Sequence, residues 1–255
     1  MLGTDLGTVT KVETMVSGND GVVIVREDLC RDVVSDADAF TAVEAVFAAM
    51  AAGDAVNCPV VREAIGHADT LYGFKSGFDR AGMALGVKSG GYWPQNVTNV
   101  GISNHQSSVS LFDPDTGRLQ AVIGGRCIIT ITSSNQPLLM ADHVSPGTHV
   151  VAMGTDTIGK QEIDPKLFSD AAVFTDEVAQ SVTIGEAQHA VAAGFVDTDA
   201  IVPIGRVING DHAGRTNERQ ITIFEGTGVG LQDLALASVA MRRALDAGTA
   251  TRIAF

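Results

Sequence analysis

The sequence is poor in the residues that mark several dedicated chemistries. It has three cysteines, Cys30, Cys58 and Cys127, with no C-x-x-C pair and an odd total. That excludes a disulfide scaffold and reads as reduced thiols in a cytoplasmic protein. The six histidines include no H-E-x-x-H and no other close ligand spacing, so no metal site is expected. There is no G-x-S-x-G, and Cys58 and Cys127 sit in apolar runs, so no activated nucleophile is indicated. No run reaches the ~20 apolar residues of a membrane span. The opening MLGTDLGTVTKVETMVSGND lacks the basic start and apolar core of a signal peptide. Basic residues are also scarce, 17 against 30 acidic for a net charge of −13, and they are not gathered into a patch. The expectation is an acidic, soluble, cytoplasmic protein that binds neither nucleic acid nor membrane.

What is present is a globular composition. The chain has 255 residues, 45% of them hydrophobic, enough for one large domain or two small ones with a substantial core. Residues 1–20 read as a loose extension. Val22 to Val25 make a short buried strand. Ser35 then opens a helix with capping-box spacing to Asp38; Phe40, Val43, Val46, Phe47 and Met50 form its apolar face, and Gly53 ends it. From Pro59 to Gly125 the runs LYGFKSGF, GMALGVKSGGYW, SSVSLFD and LQAVIGG predict an antiparallel sheet or half-barrel, with a clear turn at Asp113 to Gly117. After Gly125 the style becomes α/β with parallel strands. CIITITSS (Cys127 to Ser134), THVVAMG and AAVFTDE are short β-rich runs, and PLLMADHV and DPKLFS read as loops or helical pieces. A helix is expected over SVTIGEAQHAVAAG, then a strand RQITIF and a long closing helix.

The turn FEGTGVGLQDLA before that closing helix invites a dinucleotide reading, which its spacing rejects. Gly226, Gly228 and Gly230 give G-x-G-x-G, with Leu231 where the fingerprint needs glycine, and the 25 residues beyond Gly230 leave no room for another strand. The alternative is a tight strand-to-helix turn whose open N–H groups face a cleft and bind a carboxylate. Three cations, Arg62, Lys75 and Lys88, fall on consecutive predicted strands within 27 residues. They read either as edge residues or as one cleft receiving an anion. Asp156 follows the strand HVVAMG at the end where α/β sheets bind ligands, and a plain turn or N-cap aspartate fits equally well.

The stretches NCPVVREAIGH, LYGFKSGFD, GGYWPQN, NHQSSVSLFDPDTGR, MGTDTIGKQEIDP, FTDEVAQSVTIGEAQHA and FEGTGVGLQDLA, spanning residues 22 to about 240, resemble the ornithine cyclodeaminase/mu-crystallin family. The resemblance implies a homodimer with a substrate/dimerisation domain over 21–125 and 205–255, built on an antiparallel sheet. Beside it would stand a Rossmann-like parallel sheet over 126–204. It implies NAD(H) as cofactor and a small dicarboxylate or amino acid as ligand, within the branch that reduces an imine to L-aspartate. Arg62, Lys75 and Lys88 would line the substrate pocket. Lys88 and Asp156 would be catalytic, managing the proton and the iminium charge. Asn104, His105, Gln106, Gly226 and Gly228 would complete the pocket. The family's G-x-G-x-x-G unit belongs between AVIGG and CIITITSS, which here are joined by Arg126 alone. The parallel sheet is thus expected to be truncated by on the order of 80–90 residues. A non-catalytic dimeric remnant that keeps the carboxylate pocket without a nucleotide is the alternative.

Overall fold

The computed structural model describes residues 21–124 and 134–254. The expected extension over 1–20, the junction at Arg126 and all but the last residue of the run expected from Cys127 to Ser134 lie outside the described residues.

In chain order the first half comprises β1 (Gly21–Val25), α1 (Glu27–Val33), α2 (Asp36–Ala52), β2 (Ala55–Asn57), β3 (Val61–Ala64), β4 (Leu71–Asp79), β5 (Ala84–Tyr92), α3 (Asn96–Val100), β6 (His105–Phe112) and β7 (Leu119–Gly124). The second half comprises β8 (Asn135–Leu139), β9 (His149–Ala152), β10 (Gln161–Ile163), β11 (Ala171–Thr175), α4 (Val178–Ile184), α5 (Ala187–Ala192), β12 (Val202–Pro203), α6 (Ile204–Ile208), β13 (Ile221–Glu225), α7 (Gly230–Asp246) and β14 (Thr251–Ala254). Strands β4 to β7 form an antiparallel meander. Strand β1 runs parallel to β7 and is flanked by β14, while β2 and β3 both pair with β4. A second, parallel sheet has the order β12-β11-β13-β9, and β8 and β10 make a small parallel pair. This mixed α/β architecture of one antiparallel and one parallel sheet is the expected fold class.

Each sheet has its own core. Helices α2 and α7 lie on the antiparallel sheet, where Val46, Phe47, Leu231, Leu234 and Ala237 meet Val23, Val25, Val109, Leu111 and Ile123. The parallel sheet buries Val150, Val173 and Ile223 against Phe168, Ala187, Ala190 and Ile201. Ser35 caps α2 as its spacing predicts: its hydroxyl accepts from the Asp38 N–H at 3.2 Å, and the Asp38 carboxylate accepts from the Ser35 N–H at 3.2 Å. Gly53 closes the helix in the left-handed conformation.

Four expectations change. Phe40 is 68% exposed, because the stripe of α2 that packs runs through Ala42, Val43, Val46, Phe47 and Met50 and leaves the first turn's aromatic outside. The helix expected over Ser181 to Gly194 is two helices, α4 and α5, broken at Gly185 and Glu186. The Glu186 carboxylate turns inward there and accepts from the N–H groups of Glu162 (2.7 Å) and Ile163 (3.2 Å) and from the Thr155 hydroxyl. PLLMADHV holds the end of β8 followed by a single 3-10 turn, Ala141–His143. Finally, β13 lies inside the parallel sheet between β11 and β9, although it falls beyond the boundary at 205. The chain packs α6 against α2 first, at Ile204 and Gly205, enters the parallel sheet with β13, and comes back to the antiparallel sheet at the Gly226–Gly230 turn.

Candidate functional site

The register of the antiparallel sheet puts the three cations on one face. Lys75 stands opposite Lys88, and one row further on Arg62 stands opposite Gly73, which faces Gly90 and then Ser107. Positions two apart on a strand share a face, so Arg62, Lys75 and Lys88 point to the same side. Helix α7 covers the far end of that side. It begins so close to β4 that a Cβ on Gly230 would lie 3.0 Å from the Lys75 backbone. The rows beyond the helix carry Gly73 and Gly90, both partly exposed, and leave room between the sheet and the loop after β9.

The parallel sheet closes the cleft from the other side. Asp156, in the loop after β9, meets Arg62 at 2.7 Å through Oδ2 and Lys160 at 2.9 Å through Oδ1. The Arg62 guanidinium also donates to the Asp156 carbonyl (3.3 Å) and the Thr157 hydroxyl (3.1 Å). Burial works against the Asp156 charge, but Arg62 and Lys160 outweigh it and hold the carboxyl well below the usual carboxylate range. Lys88 pairs with Asp233, in the first turn of α7, at 2.8 Å. Among the described residues no carboxylate accepts from Lys75: its ammonium donates to the carbonyls of Gly228 (2.5 Å) and Thr227 (3.3 Å). Burial lowers its pKa first, and Arg62 lowers it further against the opposing pull of Asp233 and Asp156.

The glycine turn differs from its expected role. Its N–H groups do not stand open to the cleft. The Gly226 N–H donates to the Ala152 carbonyl at 2.9 Å, that of Thr227 to Asp176 Oδ1 at 3.2 Å, and that of Gly228 to Asp176 Oδ2 at 2.7 Å. A buried carboxylate of the protein already occupies the place a ligand anion was expected to take. Gly228 has φ of +73°, which favours glycine there, and a Cβ would press on the Lys75 ammonium at 3.2 Å, so the lysine would have to shift slightly.

Asn104 and Gln106 shape the turn after α3. The Asn104 side-chain oxygen accepts from the Val97 N–H at 3.0 Å, and the Gln106 amide donates to the Ser103 carbonyl at 2.8 Å. His105 stacks on Tyr92 with ring centroids 4.8 Å apart. Its pKa is lowered by burial first, and it feels the charges of Asp156, Arg62, Lys160 and Lys88, which places it at the edge of the charged cluster. The structure therefore brings Arg62, Lys75, Lys88 and Asp156 together with His105 beside them, while Asn104 and Gln106 act through the turn. Lys160, Asp233 and Asp176 were not singled out from the sequence. The first stood four residues beyond Asp156 and the second in the first turn of the closing helix. The third ended the strand AAVFTDE, the edge already flagged for Asp156.

The ornithine cyclodeaminase/mu-crystallin family profile matches residues 119–248. The iminosuccinate reductase of Paracoccus denitrificans (strain Pd 1222) is 39% identical over 91% of this chain and 99% of its own length. The chain belongs to the ornithine cyclodeaminase/mu-crystallin family. The crystal structure of the Paracoccus iminosuccinate reductase in complex with NAD+ superposes with a TM-score of 0.87, covering 92% of this chain and 100% of that one. An archaeal alanine dehydrogenase dimer with bound NAD, 22% identical, shares the fold with a TM-score of 0.83 over 92% of this chain and 99% of its own. Both of these solved structures hold the nicotinamide dinucleotide.

The sequence contains no G-x-G-x-x-G. The two strand-to-helix turns of the parallel sheet that lead into α4 and α7 each hold a carboxylate of their own. Asp176 takes the Glu177, Thr227 and Gly228 N–H groups, and Glu177 takes that of Ala179. Among the described residues no group of three or more His, Cys, Asp or Glu could hold a metal ion. No described helix is long and apolar enough to cross a membrane.

Proposed function

We propose that the cleft is the substrate site of an imine reductase of the iminosuccinate reductase kind, taking a small dicarboxylate whose α-carbon bears an imine or amine nitrogen. The observation that carries this reading is the convergence of Arg62, Lys75, Lys88 and Lys160, with Asp156 and Asp233 as the carboxylates paired to them among the described residues. In a chain of net charge −13 such a concentration of cations favours a dianion. Arg62 and Lys75 bind the substrate carboxylates. Asp156, held ionised, stabilises the positive charge of the iminium nitrogen, and Lys88, oriented by Asp233, handles the proton. The cofactor of such a reductase, NADH, supplies the hydride that goes to the imine carbon. A cytoplasmic homodimer goes with this assignment.

A specific observation favours a second reading, in which the chain binds the carboxylate but no nucleotide. The alignment with the Paracoccus protein runs over 320 positions, whereas this chain has 255 residues in all. We read the excess as a missing first half of the nucleotide-binding sheet near Arg126. Two titrations separate the readings. Succinate should bind the wild-type protein and bind Arg62→Ala at least tenfold more weakly by calorimetry; equal binding by both would sink the substrate site. NADH is then titrated by its nicotinamide fluorescence and by energy transfer from Trp93. Saturation in the micromolar range, followed by turnover of oxaloacetate with ammonia, supports the reductase. Silence up to millimolar NADH leaves the carboxylate-binding protein.

A further inference from the structure

We propose that Asp176 is a positioning residue for Lys75: it holds the Thr227–Gly228 peptide from beneath the cleft so that the carbonyls of that segment grip the Lys75 ammonium and aim it at the ligand.

Asp176 directly follows β11 of the parallel sheet, is 3% exposed, and reaches neither Lys75 nor the cleft through any of its hydrogen bonds among the described residues. Its Oδ1 accepts from the Thr227 N–H (3.2 Å) and hydroxyl (3.1 Å), and its Oδ2 accepts from the Gly228 N–H at 2.7 Å. The Gly228 N–H belongs to the same peptide unit as the Thr227 carbonyl, which accepts from Lys75 at 3.3 Å. In a trans peptide these two groups point in opposite directions. A carboxylate thus sits on one side of the peptide and an ammonium on the other, each polarising the bond the other uses. The next carbonyl, that of Gly228, makes the shorter contact with Lys75, at 2.5 Å. The left-handed backbone at Gly228 lets both carbonyls face one cation while both N–H groups face one anion. Gln180, also buried, receives the Thr227 hydroxyl at 3.2 Å and ties the same segment to α4. A charge from the parallel sheet therefore fixes the direction of a charge on the antiparallel sheet without touching it.

The consequence for ligand binding rests on reading the cleft as the substrate site; the consequence for Lys75 itself does not. The test compares wild type, Asp176→Asn and Thr227→Val by competitive acetylation, reading Lys75 against the exposed Lys166 by mass spectrometry. The asparagine keeps the shape but turns an N–H donor or a weaker acceptor toward the Gly228 N–H. The Lys75/Lys166 ratio should rise about fivefold or more in Asp176→Asn, the order expected when a charge-assisted hydrogen bond is lost. It should rise by a smaller factor in Thr227→Val, which keeps both backbone contacts. An unchanged ratio in the folded variants overturns the proposal, and should Asp176→Asn not fold, an unchanged ratio in Thr227→Val does so alone. A general loosening that raised Lys75 and Lys88 equally would also overturn it, since only Lys75 is gripped by the turn. Calorimetry with succinate on the same proteins keeps the two readings apart. Failure of the wild type to bind succinate removes the substrate site and leaves the acetylation ratio to decide the role of Asp176.

Discussion

Asp156 and Glu225 show how differently the same kind of side chain is set by its surroundings. Asp156 is flanked by Arg62 and Lys160, so its folded pKa is depressed. Its stabilising contribution is complete above the ordinary carboxylate range and is lost as pH falls through the depressed value. Removing Arg62 leaves Lys160 as its partner and raises that value. The acid loss of stability in Arg62→Ala should therefore begin at higher pH than in wild type, which urea unfolding at a series of pH values would show. Glu225 is the opposite case. It is 1% exposed, and burial pushes its carboxyl up to about 7 despite bonds from the Ser181 hydroxyl and the Ala187 N–H. Between the ordinary value of 4.5 and 7 the folded protein keeps a proton that the unfolded chain has released. Stability therefore falls as pH rises through that window and levels off above it. Urea unfolding should show this decline in wild type. Glu225→Gln, which has no charge to bury, should flatten it and be the more stable protein at pH 8 by about 1–3 kcal/mol. A variant with the wild-type pH slope would assign the slope to another group.

At the scale of elements, what could be read from the sequence was what neighbours in the chain decide. The capping box of α2 is a three-residue pattern, and Ser35→Ala should cost ~1 kcal/mol in unfolding free energy without altering succinate binding. A loss above about 2 kcal/mol would mean that the Asp38–Arg243 contact to α7 depends on the cap as well. The turn at Asp113 to Gly117 was equally legible, because the Asp113 carboxylate accepts from the Asp115 and Thr116 N–H groups within the same turn. The cations were legible as a set since strands β3, β4 and β5 are consecutive and their register follows from the meander. The rest depended on partners far along the chain. The glycine turn looked open because Asp176, which fills it, lies about fifty residues earlier. The break between α4 and α5 had only Gly185 as a local signal, since the groups that draw Glu186 inward come from Thr155, Glu162 and Ile163. Strand β13 was assigned to the wrong side of a boundary because insertion between two earlier strands is a property of the sheet, not of ITIFE.

At the scale of the molecule, the pair β3–β4 carries two different surfaces. Arg62 faces the cleft opposite Gly73. The alternate residues Val61 and Phe74, which stand opposite each other, are exposed on the other side, and Tyr72 follows in the next row. Ile65, Val97, Val100 and Ile102 are exposed as well. An outer face of this composition is costly in water for a single chain and suits a covered interface. A second copy of the chain is the occupant our reading requires. Sedimentation at micromolar concentration should give a dimer, and the double variant Val61→Asp, Phe74→Glu should shift it toward monomer. The alternation links this to the site, because a strand released on one face is less firmly held on the other. The monomeric variant should therefore bind succinate severalfold more weakly than wild type even though neither changed side chain points into the cleft. A monomeric wild type would remove the interface from this face. A monomeric variant with undiminished succinate affinity would instead show that β4 and the Arg62–Asp156 contact hold β3 in place without help from a partner.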